Sequence, residues 1–163
     1  MSVLRGRHRF GRPNGGFAEE QVQYVMGRVA NYILYHNPAT MGRGFRGAVA
    51  TSGMIATNKE AVAERAANEG GVIWCVGRAS AREKRYFLYQ RIVDTRCSYA
   101  KDAEDFRVTL TGRTTLRQGY EKDITDEPYF PQVKKLLSLG LQSLGDRTIL
   151  AAFEAEYEEN KAD

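Results

Sequence analysis

The sequence has little of what covalent and metal chemistry require. Among its 163 residues there are two cysteines, Cys75 and Cys97, two histidines, His8 and His36, and one tryptophan, Trp74. These cysteines and histidines are too scattered to form the close pairs of a zinc motif, so no metal or cofactor is expected. His36, beside Pro38, is the sole plausible general base, and with no partner visible it reads as a loop histidine. The cysteines fall on separate expected strands, which suits two buried thiols in a reducing compartment better than a disulfide. No apolar run approaches the roughly 18 residues that cross a bilayer. The charges of Met1–Arg7 are followed by no apolar stretch of a secretion signal. A cytoplasmic protein without a membrane partner is expected.

What is present describes a folded domain. Hydrophobic residues make up 42% and charged residues 27%, which excludes wholesale disorder. The length suits one domain that buries about two-thirds of the surface its unfolded chain exposes. The net charge of +4 is unevenly spread. Residues 1–16 carry four arginines and no acid, whereas 154–163 carry five acids against one lysine. A basic body with a basic arm favours polyanionic partners through counterion release.

Along the chain, residues 1–16 mix Gly, Pro and Arg without apolar periodicity and read as a flexible basic arm, leaving 17–163 as a single domain. Phe17, Val22, Val25, Met26 and Val29 predict a first helix, and Asn31–His36 a strand ending at Asn37-Pro38. A glycine-arginine loop spans 39–52. Thr57-Asn58-Lys59-Glu60 fits a capping box for a helix that Gly70-Gly71 stops near Glu69. Val72–Gly77 and Arg85–Asp94 should pair as a hairpin. A further strand pair is expected at 106–110 and 114–118, turning at Gly112. Helices at about 127–138 and 147–160 close the chain, the second capped by Asp146. Consecutive strands pair antiparallel, so the expected class is α+β, a curled and mainly antiparallel sheet flanked by helices.

Several motifs lead nowhere. Gly42-x-Gly44-x-x-Gly47 has dinucleotide-fingerprint spacing but follows a Pro turn and opens no βαβ unit. Asp94, Asp102, Glu104 and Asp105 could be imagined as nuclease ligands, yet they read more simply as a solvated acidic turn. What remains is a combination of basic and aromatic residues. Arg43, Arg46, Arg78, Arg82, Lys84 and Arg85 lie in two loops flanking strands that carry Tyr35, Trp74 and Tyr86. Guanidinium groups fork onto phosphate, and aromatic faces stack on unpaired bases for about 1–3 kcal/mol each. Trp74, in an apolar strand, reads first as a core residue.

Three segments resemble the PUA-like superfamily, and within it the EVE-type and ASCH-type domains that accompany nucleases in bacterial modification-dependent restriction. They are Tyr35-His36-Asn37-Pro38 with the loop after it and Ala56-Thr57-Asn58-Lys59; the hairpin Val72–Arg78 with Lys84–Leu88 and Ile92–Asp94; and Asp126–Phe130 with Leu139–Leu144. Together they cover about residues 31–153. The resemblance implies a small curled PUA-like β-barrel with helices around it and a pocket for a modified base, flipped from DNA or carried on a single strand. By position, Tyr35, Asn37 and Trp74 would bind the base, and Arg43, Arg46, Arg78 and Arg85 the flanking phosphates. The chain departs from that pattern in its N-terminal arm and helix, and in having no nuclease attached.

The leading expectation is therefore a non-catalytic reader of modified nucleic acid, DNA before RNA, working with a separate nuclease subunit. The alternatives are a small metal-dependent nuclease using His36 or the acids near Asp102, and a protein-interaction subunit docking through Phe153 and Tyr157 of the last helix.

Overall fold

The computed structural model describes residues 29–48, 53–99 and 106–163. The arm at 1–16, nearly all of the first expected helix, and Asp102, Glu104 and Asp105 lie outside the described residues.

Strand β1, Asn31–His36, alternates its side chains between two packing layers, as a pleated strand must. Ile33 and Tyr35 join one layer, Tyr32 and Leu34 the other. Asn37 then caps a one-turn helix α1, Pro38–Met41, its side-chain oxygen accepting from the Ala39 amide at 3.1 Å. A second short helix, α2 (Phe45–Ala48), follows, so the expected irregular loop at 39–52 contains two turns of helix. Strand β2 (Met54–Thr57) leads into α3 (Glu60–Asn68). The expected capping box does not form there. Thr57 is still in β2, and its hydroxyl accepts from the Lys59 amide at 3.1 Å, which leaves Lys59 at the helix cap without a side-chain bond.

Strand β3 (Val72–Gly77) is buried along its whole length and forms the expected hairpin with β4 (Phe87–Tyr99). A strand buried on both faces reads as a continuous apolar run, and Val72-Ile73-Trp74-Cys75-Val76 is one. Val72, Trp74 and Val76 face α4 (Phe130–Leu137) and α5 (Arg147–Asn160), while Ile73 and Cys75 face the layer that holds Phe45, Ile55, Ala63 and Leu110. The Asp146 carboxylate caps α5 as expected, accepting from Thr148 and Ile149.

Strand β4 is longer than the expected 85–94. Asp94 has φ +56°, and the pairing shifts register between Val93 and Arg96, so the strand bends there and continues. Its first half pairs with β3 and with the two-residue strand β6 (Lys122–Asp123), its second half with β5 (Val108–Thr114). The expected turn at Gly112 is wrong, because β5 runs straight through it. A Cβ at Gly112 would lie 2.5 Å from the Val93 carbonyl oxygen, so this glycine admits the bent neighbour and does not reverse the chain.

With β7 (Gln142–Ser143), the sheet runs β2-β5-β4-β3-β1-β7, and β6 adds to β4. Only the β1–β3 pairing is parallel among the described strands. The result is a mixed α+β fold whose sheet curls into a half-barrel. No helix among the described residues is long and apolar enough to cross a membrane.

Candidate functional site

The curl leaves an opening between the ends of β1 and β2. Leu34, Tyr35 and Asn37 come from β1 and its turn, Thr40 and Met41 from α1, and Ala56 to Lys59 from the turn between β2 and α3. Phe106 and the α4–β7 link, Leu137 to Leu141, complete a cleft of about 380 Å³. That volume lies in the range of about 300–1,000 Å³ typical of small-ligand sites. Leu34, Met41, Phe106 and Leu141 give it apolar walls, and Asn37, Thr40, Asn58, Lys59 and Ser138 give it a polar edge. Leu139, on the α4–β7 link, is 54% exposed, and Gln142 Nε2 fastens that link by donating to the Leu136 carbonyl. The Lys59 ammonium has no ion pair among the described residues.

A second region gathers three of the four expected phosphate-binding arginines. Arg46 forks onto Glu121, with Nε 2.7 Å and Nη2 2.6 Å from the two carboxylate oxygens. Arg85 forks onto Glu83 at 3.1 Å and lies 3.9 Å from Asp123. Both guanidinium groups rest over the Phe87 ring, at 5.4 and 5.5 Å from its centre. Arg78 donates through Nε to the Tyr35 hydroxyl at 2.8 Å and lies over Tyr86. The pairing lowers the pKa of both acids. The Arg85 guanidinium holds the Glu83 carboxyl down at about 2, and Arg46 lowers that of Glu121. The segments meet closely because Gly44 has no side chain: a Cβ there would overlap the Ala79 carbonyl at 1.7 Å. Arg43 stands apart from this group, exposed and without an ion pair among the described residues.

Of the three expected base-binding residues, the structure brings Tyr35 and Asn37 to the cleft but not Trp74. Trp74 is fully buried, its ring packed 5.5 Å from Phe153 and its Nε1–H donating to Asn31 at 2.9 Å. No face of that ring is open to a base. Tyr35 serves both regions, since it lines the cleft while its ring tilts against Tyr86 at 5.8 Å. Burial is the main cause of its raised phenol pKa. The cleft residues missed in sequence, Met41, Lys59, Phe106 and Ser138 to Leu141, come from segments far apart in the chain. The one local signal was Leu139-Gly140, an apolar residue before a glycine of φ +73°.

Of the residues considered for catalysis, His36 and Asp94 lie among the described residues, and both make structural contacts. His36 is buried, and its Nε2 lies 2.9 Å from the Arg43 carbonyl. A carbonyl only accepts, so Nε2 carries the hydrogen and ties β1 to the loop. Burial raises the Cys75 thiol to about 12, far from a reactive thiolate, and Cys97 is also free. Asp94 pairs with Arg113 at 3.1 Å. No group of three or more metal-ligating side chains occurs among the described residues. Phe153 is fully buried, so only Tyr157 of the pair on the last helix keeps partial exposure. A scan against protein-family models and searches of curated proteins and of solved structures find no match to this chain.

Proposed function

We propose that the chain is a non-catalytic nucleic-acid-binding protein that takes one base, a modified base by preference, into the cleft between β1 and β2. The observation that supports this most is the make-up of the cleft. Apolar walls at Leu34, Met41, Phe106 and Leu141 suit the faces of a planar ring, and amide and hydroxyl groups at Asn37, Thr40 and Ser138 suit its edge. A base is a ligand of that kind, flat and apolar above and below, with hydrogen-bonding groups around its rim. Lys59 at the same cleft adds a cation for an adjoining phosphate. The curled half-barrel is compatible with the PUA-like resemblance, which suggests DNA before RNA and a separate nuclease as partner in modification-dependent restriction.

Binding is tested by fluorescence anisotropy on matched single- and double-stranded DNA and RNA, with and without 5-methylcytosine, 5-hydroxymethylcytosine and N6-methyladenine, in the presence of Mg²⁺. The expected result is preference for one modified base without cleavage. Equal affinity for modified and unmodified strands would remove the reader, and strand cleavage would replace it with an enzyme.

A further inference from the structure

The two forked ion pairs beside Phe87 are well formed but weakly held. Arg46 is 53% exposed and Arg85 57%, so solvent screens both, and exposed pairs of this kind contribute little to stability. Their geometry is nevertheless that of phosphate recognition, with a planar guanidinium forked onto two oxygens. Both arginines sit on the same ring, so they are presented side by side. The local charges nearly cancel, which removes attraction at a distance. Three guanidinium groups, those of Arg46, Arg78 and Arg85, stand among three carboxylates, Glu83, Glu121 and Asp123. Glu121 reaches Arg46 from 75 positions away in the chain, so the fold supplies this neutralisation and local sequence does not.

Building on the nucleic-acid reading above, we infer that the Arg46–Arg85 face is a track for the phosphate backbone of a strand, and that Glu121 and Glu83 are built-in competitors that keep it closed. A passing polyanion must displace a carboxylate of equal charge for each contact it makes, so it gains little. A strand already held by a base in the cleft presents its phosphates at high effective concentration and completes the exchange. The carboxylates thereby convert a face that would bind any strand into one that adds affinity only after the cleft is filled.

The test compares Glu121→Gln with Asp94→Asn. Each removes one negative charge from an exposed pair with arginine, the second from the Asp94–Arg113 pair on another stretch of β4. Asparagine also tolerates the left-handed backbone at that position. Affinity for an unmodified single-stranded DNA is measured between about 50 and 200 mM salt. Glu121→Gln should bind severalfold tighter at the low end, with a salt slope steeper by about 0.7, the share of one freed cation on a single strand. It should also narrow the preference for the modified base. Asp94→Asn should do neither, and adding Arg46→Ala to Glu121→Gln should reverse the gain. If the wild type binds and Glu121→Gln behaves like Asp94→Asn, the competitor role is overturned while the reader stands. If neither the wild type nor Glu121→Gln binds any strand at low salt, the nucleic-acid reading itself falls, and the track with it.

Discussion

The cleft and the arginine face are built from neighbouring segments, yet they differ in what they leave available. On the arginine face Arg46 and Arg85 are each forked onto a carboxylate, and Arg78 donates to Tyr35. At the cleft, Lys59 has no ion pair among the described residues, and an exposed Leu139 stands on the bordering link. Six basic residues in two loops suggested a phosphate surface, while only two of the cleft's residues, Tyr35 and Asn37, were expected as site residues from the sequence. A count of arginines therefore does not measure available positive charge. What matters is which acids the fold brings to them.

The largest effect expected is from Trp74→Ala, which tests whether this residue belongs to either region. Removing the ring leaves a cavity against Phe153 and an unpaired Asn31 oxygen, so urea denaturation should show a loss of about 3–5 kcal/mol. A Trp74→Ala protein as stable as the wild type but deficient in base binding would return this residue to the site.

Next in size is Asn37, where capping and recognition can be separated. Asn37→Ala should lose about 1 kcal/mol of stability with the cap of α1. Asn37→Asp caps equally well but lacks the amide donor and adds a negative charge at the cleft. It should therefore keep its stability and still lose binding by about tenfold, the worth of one hydrogen bond. Equal binding by Asn37→Asp and the wild type would mean that Asn37 only shapes the backbone.

A smaller change is expected on the arginine face. Arg46→Ala removes a pair that is half exposed, so unfolding should shift by less than about 1 kcal/mol. A loss of several kcal/mol would make Arg46–Glu121 a brace between α2 and the residue before β6 and would erase the contrast with the cleft.

How much of this was legible depends on how local the cause was. β3, α3 and α5 announce themselves in unbroken apolar runs, helical spacing and the Asp146 cap, all within a few residues. β2 has only four residues and is fixed by pairing with β5, about fifty positions later. Gly112 looks like a turn in sequence, and only the approach of Val93 explains it. Thr57 and Glu60 fit a capping box, but pairing with Val108 keeps Thr57 in the sheet. Tyr35 and Asn37 were singled out through the resemblance, at a strand end followed by Asn-Pro, and both line the cleft. Glu121 was invisible beside Arg46 because nothing between them marks the contact.

The smallest effect is the most direct measure of how firmly the arginine face is occupied. Arg85 holds the Glu83 carboxyl at about 2, against an ordinary 4.5, chiefly through side-chain hydrogen bonds. Because the folded-state value is the lower one, any stability from this pair is complete above about 4.5 and is lost as pH falls toward 2. The carboxyl is solvent-exposed, so screening keeps that contribution too small for denaturation to resolve. The side-chain carboxyl resonance of Glu83 follows it without that difficulty. In the wild type its midpoint should lie well below that of an unpaired glutamate, and in Arg85→Ala it should return toward the ordinary value. A midpoint that does not move would mean that Arg85 is free in solution, and the arginine face would then resemble the cleft in the one respect that now separates them.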